Sequence, residues 1–400
     1  MTAGAGVVIV GASLAGLTTA EGLRNEGYSG AITLIGEEDR DPYNRPPLSK
    51  QVLAGTWSVD QTTMRDAEQL ESLGVRHLRA HRASTVDVNA RTVTANGAVV
   101  PYEHLVAATG VVARTLPNSR GVRGINSLRT VDDALTLQRD LAGAGQVAVV
   151  GASVLGCEIA SAARSAGHGV TLIGRSDALR FGRNGNHLSP MIADLLHEND
   201  VRMRMGVEVI EVQGRHSVSG LRLSDGSVIP ADVVVAAIGC VPAVDWLSDT
   251  GIDISDGVLC DANGVAAPGV YAVGDVARWL DPLTGEAHRI EHQATAIERA
   301  HAVARLIVTG ESTPPIASFF WSELFGNRIL VHGRLAPDLP LTPLTGSIGD
   351  RRFVAATIRS GRPTGLVGWN MPREFRQERA RVIEQAAQHH PHPAVEAAAN

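Results

Sequence analysis

An internal repeat constrains the fold of this chain more than any other feature. Residues 7–39 and 147–177 each contain an apolar strand, the sequence GAS-x-x-G, a helix of small residues, and a second apolar strand that ends in TLIG. A strand that passes through a glycine-rich turn into a helix, followed by a second strand, is the βαβ unit of dinucleotide-binding folds. The repeat therefore predicts an α/β fold with two Rossmann-like dinucleotide-binding domains.

The residues of the repeated loop suit a bound pyrophosphate. The first glycine permits the tight turn, the small third residue lets a phosphate approach the backbone, and the last glycine lets the helix pack close to the strand. The helix N-terminus then presents unpaired N–H groups to the phosphates. The predicted binding positions are Gly11, Ser13, Ala15 and Gly16 in the first copy and Gly151, Ser153 and Gly156 in the second. Serine at the third position is a mild departure from the more usual glycine.

The two copies differ at the end of their second strand. The first copy ends in Gly36-Glu37-Glu38, and the carboxylate of Glu37 can accept hydrogen bonds from ribose hydroxyls. The second copy has Arg175 at this place, which suits the 2′-phosphate of NADPH, with a solvated surface arginine as the open alternative. The sequence thus predicts FAD at the first site and NADH or NADPH at the second.

Composition argues against several classes of protein. A net charge of −6 does not suit a general nucleic-acid binder. The chain starts directly on an apolar strand and has no uninterrupted apolar run of about 18 residues, so we expect a soluble, cytoplasmic protein that does not bind membranes. Its three cysteines, Cys157, Cys240 and Cys260, form no CxxC pair, which argues against a local redox disulfide or a metal site. Lys50 is the single lysine among 36 basic residues, which singles it out for a specific role.

Further motifs carry a family resemblance that covers roughly residues 5–375. They are DPYNRPPLSK (Asp41–Lys50), AATG (Ala107–Gly110), LRTVDDA (Leu128–Ala134), AAIGCVP (Ala236–Pro242), YAVGDVA (Tyr271–Ala277) and SFFWSELFG (Ser318–Gly326). In this order they resemble the FAD-dependent NAD(P)H:ferredoxin reductases of bacterial cytochrome P450 and Rieske oxygenase systems, the putidaredoxin-reductase-like family. The resemblance implies a glutathione-reductase-like arrangement of the two nucleotide domains, followed by a C-terminal α+β domain. Family precedent favours NADH, whereas Arg175 favours NADPH.

The resemblance also implies roles for individual residues. Lys50 is expected near the flavin ring, paired with Glu158, and these two are the expected catalytic residues. Asp275 is expected on the ribityl chain of FAD. The other expected cofactor contacts are Arg45, Thr109, Gly110, Arg129, Gly239, Gly274 and, near the nicotinamide and flavin, Trp321. Purely structural roles stay open for several of them: a surface lysine, a helix-surface acid, a helix N-cap at Asp275 and a core tryptophan.

Two positions depart from the family pattern near the flavin pyrimidine. Glu291-His292 is followed by Gln293 where the family usually has a tryptophan, and Arg299 stands where a glutamine is common. These departures leave the contacts of that edge of the flavin open, but not the cofactor itself.

The electron acceptor is predicted by elimination. Relatives that reduce disulfides or peroxide use cysteines that this chain lacks at the corresponding places, so a one-electron carrier protein fits best. The predicted partner is a small iron–sulfur ferredoxin that binds transiently, with a docking face on arginines Arg328, Arg334, Arg351, Arg352, Arg373 and Arg376. Scattered surface arginines are the open alternative for these six. Other functions on the same scaffold stay open: a rubredoxin reductase, an NAD(P)H oxidase, or a redox-responsive flavoprotein that acts by binding partners. We expect a monomer or a weak dimer.

Three domains and a tail are expected along the chain. Residues 1–110 and 241–313 form a discontinuous FAD-binding domain, 111–240 an NAD(P)H-binding domain, 314–388 a C-terminal α+β domain, and 389–400 a disordered tail. Within the C-terminal domain the predicted elements are strands over Arg328–Gly333, Phe353–Ile358 and Thr364–Gly368 and a helix over Arg373–Gln388.

Overall fold

The computed structural model describes residues 5–117, 119, 121–181, 185–282, 284–314 and 318–389. The chain divides into two units. The first contains Met1–Asp177 and Val201–Ile316, and the second contains Ala178–Asp200 and Ala317–Asn400. This division is coarser than the predicted one, so the domain boundaries expected near residues 110, 240 and 313 stay a prediction.

The secondary structure of the described residues begins with strand β1. The strands are β1 Gly6–Val10, β2 Ile32–Ile35, β3 Val75–Leu78, β4 Ala83–Asp87, β5 Thr92–Ala95, β6 Ala98–Ala107, β7 Val111–Ala113, β8 Ile125–Asn126, β9 Gln146–Val150, β10 Gly169–Gly174, β11 Arg202–Met205, β12 Val209–Gln213, β13 Gly220–Leu223, β14 Val228–Pro230, β15 Val233–Ala236, β16 Cys240–Pro242, β17 Val258–Cys260, β18 Val265–Ala267, β19 Val270–Ala272, β20 Ala277–Leu280, β21 Ala287–Arg289, β22 Phe319–Leu324, β23 Asn327–Gly333, β24 Thr342–Ser347, β25 Arg352–Arg359 and β26 Arg362–Trp369. The α-helices are α1 Leu14–Asn25, α2 Ala67–Ser72, α3 Val131–Leu141, α4 Val154–Ser165, α5 Gly185–Glu198, α6 Gln293–Thr309 and α7 Pro372–His389. Short 3-10 helices cover Pro46–Ser49, Val59–Thr62, Asp245–Leu247 and Gly274–Val276.

The first sheet contains the first copy of the repeat. β1 lies between β2 and β6 and is parallel to both, β3 extends the sheet beyond β2, and β19 extends it beyond β6. β18 pairs with β19, and β5 joins β4 to β6 in an antiparallel branch. Helix α1 packs against α6 at Gly22, where a Cβ atom would lie 2.9 Å from the Cβ of Ala304. Two segments far apart in sequence, 6–107 and 265–272, thus share one sheet.

The second sheet repeats this arrangement. β9 lies between β10 and β15, with β11 and β8 at the edges, and all these pairings are parallel. β15 is buried throughout and β9 in all but its first residue, as continuous apolar sequences predict for parallel strands. β12, β13 and β14 form a separate antiparallel sheet. Both predicted βαβ units are present, and the predicted α/β class is confirmed.

Two short strands mark where the chain passes between the two parallel sheets. β7 follows the last long strand of the first sheet, β16 follows β15 of the second, and they pair antiparallel with Val112 opposite Val241. The chain therefore leaves and re-enters the first sheet at adjacent places. β17, β20 and β21 form a further small sheet in the first unit.

The second unit is built on an antiparallel sheet in the order β22-β23-β26-β25-β24. Helix α7 packs on this sheet through Phe375, which is buried. The three strands and the closing helix predicted for this region are confirmed to within three residues at each end. Helix α5 was not predicted. Of the predicted tail, His389 ends α7, and the remainder lies outside the described residues.

Among the described helices, none combines the length and apolar character that a bilayer crossing requires.

Candidate active site

Both glycine loops have a geometry that excludes side chains at two positions. Gly11 and Gly151 have φ of +119° and +118°. A Cβ atom at Gly11 would lie 2.2 Å from a backbone oxygen just after β6, and one at Gly151 would lie 2.1 Å from the equivalent oxygen after β15. At Gly16 and Gly156 a Cβ atom would lie 1.9 Å and 1.8 Å from the carbonyl oxygen of the first glycine of the same loop. Each loop is thus held tightly against the carboxyl edge of its sheet.

The first turn of the helix after each loop is open to an anion. Ser13 and Ser153 are the N-cap residues of α1 and α4, and neither side chain caps its helix. Neither first turn contains an acidic residue. The N–H groups that lack a partner within the helix, and the positive end of the helix dipole, are therefore left for a phosphate. Together with the glycine loops, this arrangement fits the pyrophosphate of a bound dinucleotide.

Arg45 fastens the segment before Lys50 to the start of α1. Its guanidinium donates to the Oγ of Ser13 at 3.3 Å, to Oε1 of Glu38 at 2.9 Å and to the carbonyl of Arg129 at 2.6 Å. The hydroxyl of Tyr43 donates to the other oxygen of Glu38 at 2.7 Å, and burial raises the pKa of this tyrosine above its usual value. Glu38 and Tyr43 were not predicted as site residues, although Glu38 ends the first copy of the repeat and Tyr43 belongs to the sequence motif that contains Arg45.

Asp275 lies at the carboxyl edge of the first sheet, in the turn after β19. Its Oδ2 accepts a hydrogen bond from Nη2 of Arg129 at 3.0 Å. A Cβ atom at Gly110 would lie 3.1 Å from the same guanidinium. Gly274 has a φ of +72° and lies against Ala15, since an added Cβ would be 2.8 Å from the Cβ of that alanine. The structure therefore brings these five predicted residues together beside the start of α1.

Thr109 and Gly239 lie where the chain crosses between the two sheets. The hydroxyl of Thr109 donates to the carbonyl of Ala243 at 2.7 Å, which ties the two crossing segments to each other. Gly239 has a φ of +95°, and no atom lies within 4 Å of the position that its Cβ would take. Thr109 thus holds the two crossing segments together, and the space next to Gly239 is empty of protein atoms among the described residues.

A buried ion pair joins the segment after the first βαβ unit to the helix of the second. Nζ of Lys50 lies 2.6 Å from Oε2 of Glu158 on α4, and the two side chains are only 11% and 7% exposed. The same carboxylate oxygen accepts a hydrogen bond from Oγ of Ser49 at 2.8 Å. The predicted pairing of Lys50 with Glu158 is therefore present. Ser49 was missed, because nothing in its sequence position distinguishes it from an ordinary turn residue.

The two residues that depart from the family pattern have defined partners. The side-chain amide of Gln293, at the start of α6, donates to Oδ1 of Asn44 at 3.0 Å. The guanidinium of Arg299 lies 4.7 Å above the ring of Trp279, and burial lowers the pKa of this arginine to about 10. Gln293 thus ties α6 to the segment that contains Arg45 and Lys50.

Comparison of the sequence with known protein families identifies the family of this chain. A family model described as pyridine nucleotide-disulphide oxidoreductase matches residues 5–300. The chain belongs to this family. The prediction of an FAD-dependent oxidoreductase that uses a pyridine nucleotide is confirmed at the level of the family.

Individual relatives of this pyridine nucleotide-disulphide oxidoreductase are ferredoxin reductases. The chain is 33% identical to the ferredoxin reductase component of chlorobenzene dioxygenase from Cupriavidus sp. (strain PS12), over 95% of this chain and 93% of the relative. It is 29% identical to putidaredoxin reductase from Pseudomonas putida, over 96% and 93%. A crystal structure of a covalent putidaredoxin reductase–putidaredoxin complex contains a similar chain, with a TM-score of 0.88, 28% identity and coverage of 96% and 94%. The predicted family resemblance is confirmed.

The cysteines of this pyridine nucleotide-disulphide oxidoreductase form no disulfide. Cys157, Cys240 and Cys260 are all free. Burial raises the pKa of Cys157 and of Cys260 to about 12. Burial, with the nearby charge of Glu291, raises the pKa of Cys240 to about 11. All three thiols are thus protonated and weakly nucleophilic near neutral pH.

The two strand-end residues of this oxidoreductase point to solvent. Glu37 is 65% exposed and lies 3.1 Å from Arg82, apart from the cluster around Glu38. Arg175 is 75% exposed, with its Nε 3.8 Å from Glu208. Neither is brought together with the residues around Lys50, and their contact with a nucleotide ribose stays a prediction.

Trp321 lies in the second unit, on β22. Its ring is partly buried and lies 5.9 Å below the guanidinium of Arg328. Its predicted place near the nicotinamide and flavin stays a prediction.

Proposed function

We propose that this chain is an FAD-dependent NAD(P)H:ferredoxin reductase of the cytoplasm. It takes electrons from a nicotinamide coenzyme and delivers them to a small iron–sulfur ferredoxin that serves a cytochrome P450 or a Rieske oxygenase. One observation carries the proposal: two dinucleotide-binding modules are joined by the buried Lys50–Glu158 pair, in a chain whose cysteines form no redox disulfide. The named relatives are ferredoxin reductases of oxygenase systems, which supports the same conclusion.

Each module receives its own nucleotide. In this proposal, 1–110 with 241–313 binds FAD, 111–240 binds the nicotinamide coenzyme, and 314–388 forms the third domain. The proposed FAD contacts are Gly11, Ser13, Ala15, Gly16, Glu37, Arg45, Lys50, Thr109, Gly110, Arg129, Gly274 and Asp275, with Trp321 near the flavin. The proposed coenzyme contacts are Gly151, Ser153, Gly156, Glu158, Arg175 and Gly239. When FAD is bound, it supplies the chemistry that takes up two electrons from the coenzyme and releases them one at a time.

Lys50 supplies a fixed positive charge in the middle of the proposed site. Its ammonium is mostly buried, and a buried charge is costly unless a close partner of opposite charge compensates it. Glu158 is that partner, and the hydroxyl of Ser49 donates to the same carboxylate oxygen. Such a preorganised cation stabilises negative charge that develops nearby during electron uptake. We assign Lys50 and Glu158 as the catalytic residues on this basis.

The electrons must leave through a partner protein. Disulfide-reducing members of the wider superfamily pass electrons to a pair of cysteines, and this chain has three separate, protonated thiols instead. An outer-sphere transfer to a docked carrier needs no covalent group on the reductase. Ferredoxins are commonly acidic, so the docking face should be basic.

Arginines on the second unit suit that face. Arg373 and Arg376 are exposed on the first turns of α7. Arg328, Arg334 and Arg352 are also exposed. Arg351 differs, because it forms a two-armed hydrogen bond with Glu198 on α5 at 2.5 and 2.7 Å. We therefore place docking on the exposed arginines and assign Arg351 a structural role.

Rapid-mixing kinetics test the proposal. Anaerobic mixing with NADH or NADPH should bleach the flavin, and cytochrome c should then be reduced only when an oxygenase-type ferredoxin is added. Rapid oxygen consumption without ferredoxin would identify an oxidase instead. Delivery to rubredoxin but not to ferredoxin would identify a rubredoxin reductase, and very slow flavin reduction would favour a partner-binding flavoprotein.

A further inference from the structure

In both modules, an equivalent turn follows the third strand, β3 or β11, and contacts the end of the second strand. In the first module, β2 and β3 run parallel, and the turn after β3 folds back on the end of β2. The backbone N–H of Ala80 donates to the carbonyl of Glu38 at 3.2 Å, and that of His81 donates to the carbonyl of Gly36 at 2.7 Å. Ala80 adopts the left-handed conformation, with φ of 53°.

The turn of the second module has the same two backbone hydrogen bonds. The N–H of Gly206 donates to the carbonyl of Ser176 at 3.2 Å, and that of Val207 donates to the carbonyl of Gly174 at 3.1 Å. Gly206 is left-handed as well, with φ of 71°. Ala80 and Gly206 therefore occupy the same place in the two copies, and so do the residues two positions further on.

Those residues are Arg82 and Glu208, and their charges are exchanged. In the first module, Glu37 on the strand end pairs with Arg82 on the turn at 3.1 Å. In the second, Arg175 on the strand end pairs with Glu208 on the turn at 3.8 Å. In each module an ion pair thus joins the strand end to the turn, but the carboxylate and the guanidinium lie on opposite elements.

We propose that Glu208 is a specificity-determining residue for the nicotinamide coenzyme. It restores, from the neighbouring turn, the carboxylate that the first module has at Glu37 and that the second module lacks at Arg175. The carboxylate accepts hydrogen bonds from the adenosine ribose of NADH and repels the 2′-phosphate of NADPH, which Arg175 by itself would attract. The inference rests on the proposed function, in that the second module binds the coenzyme.

Glu208 is placed for this role by its backbone. Two hydrogen bonds to Ser224 fix the backbone of Glu208. Its N–H donates to Oγ of Ser224 at 3.0 Å, and its carbonyl accepts from the N–H of Ser224 at 2.8 Å. Its side chain is nevertheless 59% exposed and loosely paired, so the carboxylate is available to a ligand. The neighbouring cation Arg204 is paired with Asp225 at 2.5 Å. Asp177 lies against Gly206 in the same turn, since an added Cβ would be 2.6 Å from its Oδ1, and Glu208 is the carboxylate that pairs with Arg175.

Binding of two small ligands tests the inference without any turnover. Adenosine 5′-monophosphate and adenosine 2′,5′-bisphosphate differ only in the 2′-phosphate, and calorimetry on the FAD-loaded protein gives the ratio of their dissociation constants. Glu208→Gln should shift this ratio toward the bisphosphate by about tenfold. Arg175→Gln should shift it the opposite way by a similar factor. High salt should reduce both shifts.

Glu211→Gln is the matched control. Glu211 is 49% exposed and pairs with Arg222 in the same unit, so its removal should leave the ratio unchanged. A Glu208→Gln variant with the wild-type ratio would overturn the assignment, even if NADH still reduced the flavin and the reductase proposal stood. Failure of the wild-type protein to bind either ligand would overturn the assignment of this edge altogether.

Discussion

Replacing Lys50 by methionine tests whether the ion pair between the modules is as desolvated as the structure indicates. The ammonium and the Glu158 carboxylate lie 2.6 Å apart with side chains 11% and 7% exposed. Removing one partner of a buried pair costs about 3–5 kcal/mol, because the other charge stays buried without compensation. Since Ser49 still donates to the carboxylate, we expect about 3 kcal/mol for Lys50→Met.

A double-mutant cycle isolates the pair from other effects of the substitution. Glu158→Gln removes the opposite charge, and the double variant buries neither charge, so its loss of unfolding free energy should be smaller than the sum of the two single losses. We expect a coupling of at least about 2 kcal/mol. Urea unfolding of the FAD-loaded protein, followed by circular dichroism, measures it from the shift in midpoint.

The exposed pair Arg222–Glu211 is the control cycle, with side chains 47% and 49% exposed. Its coupling should be about 0–1 kcal/mol. If Lys50–Glu158 showed a coupling as small as this, the reasoning from burial would be wrong.

The same variants also report on function: Lys50→Met should slow flavin reduction by about a hundredfold, as expected for a preorganised electrostatic group. Reduction at the wild-type rate would refute the assignment of Lys50 to the flavin.

Two further predictions concern the coenzyme loop and the docking face. Gly156→Ala would place a Cβ atom 1.8 Å from the carbonyl oxygen of Gly151, so the loop must move. We expect at least about a tenfold loss of coenzyme affinity, with FAD content retained. Unchanged coenzyme affinity in a calorimetric titration would contradict this. Replacing Arg373 and Arg376 by glutamine should raise KM for an acidic ferredoxin about tenfold at low salt and much less at high salt, because exposed charges are screened. A KM that does not change in cytochrome c reduction assays would move the docking face elsewhere.

The repeated loops could be predicted from sequence because their geometry is local. Gly11 and Gly151 take a backbone conformation that side chains disfavour, and the following helix starts within three residues, so a short motif is enough to define them. The parallel strands were equally predictable, because strands covered on both faces are continuously apolar. The Lys50–Glu158 pairing joins residues 108 positions apart, and it was implied by family resemblance rather than by any local pattern.

The side-chain directions just beyond a strand were not predictable. Glu37 and Glu38 are adjacent carboxylates, and the sequence does not show in which direction either side chain points. In the structure Glu38 turns toward Arg45, whereas Glu37 turns outward to Arg82. Arg82 belongs to the turn after the third strand and lies 45 positions further along the chain than Glu37, so no local pattern predicts this contact. Glu208 was missed for the same reason, since its place beside Arg175 depends on backbone hydrogen bonds from a separate strand.

A buried and an exposed charge pair thus have different roles in this reductase. Lys50–Glu158 is buried between the modules, so it affects the stability of their contact and the field around any bound flavin, and salt screens it little. Arg175–Glu208 is exposed at the rim of one module, so it can select between ligands but adds little to stability. Ionic strength therefore separates the two roles. Rising salt should erase discrimination between the 2′-phosphorylated and unphosphorylated ligands, whereas the effect of Lys50→Met on flavin reduction should persist.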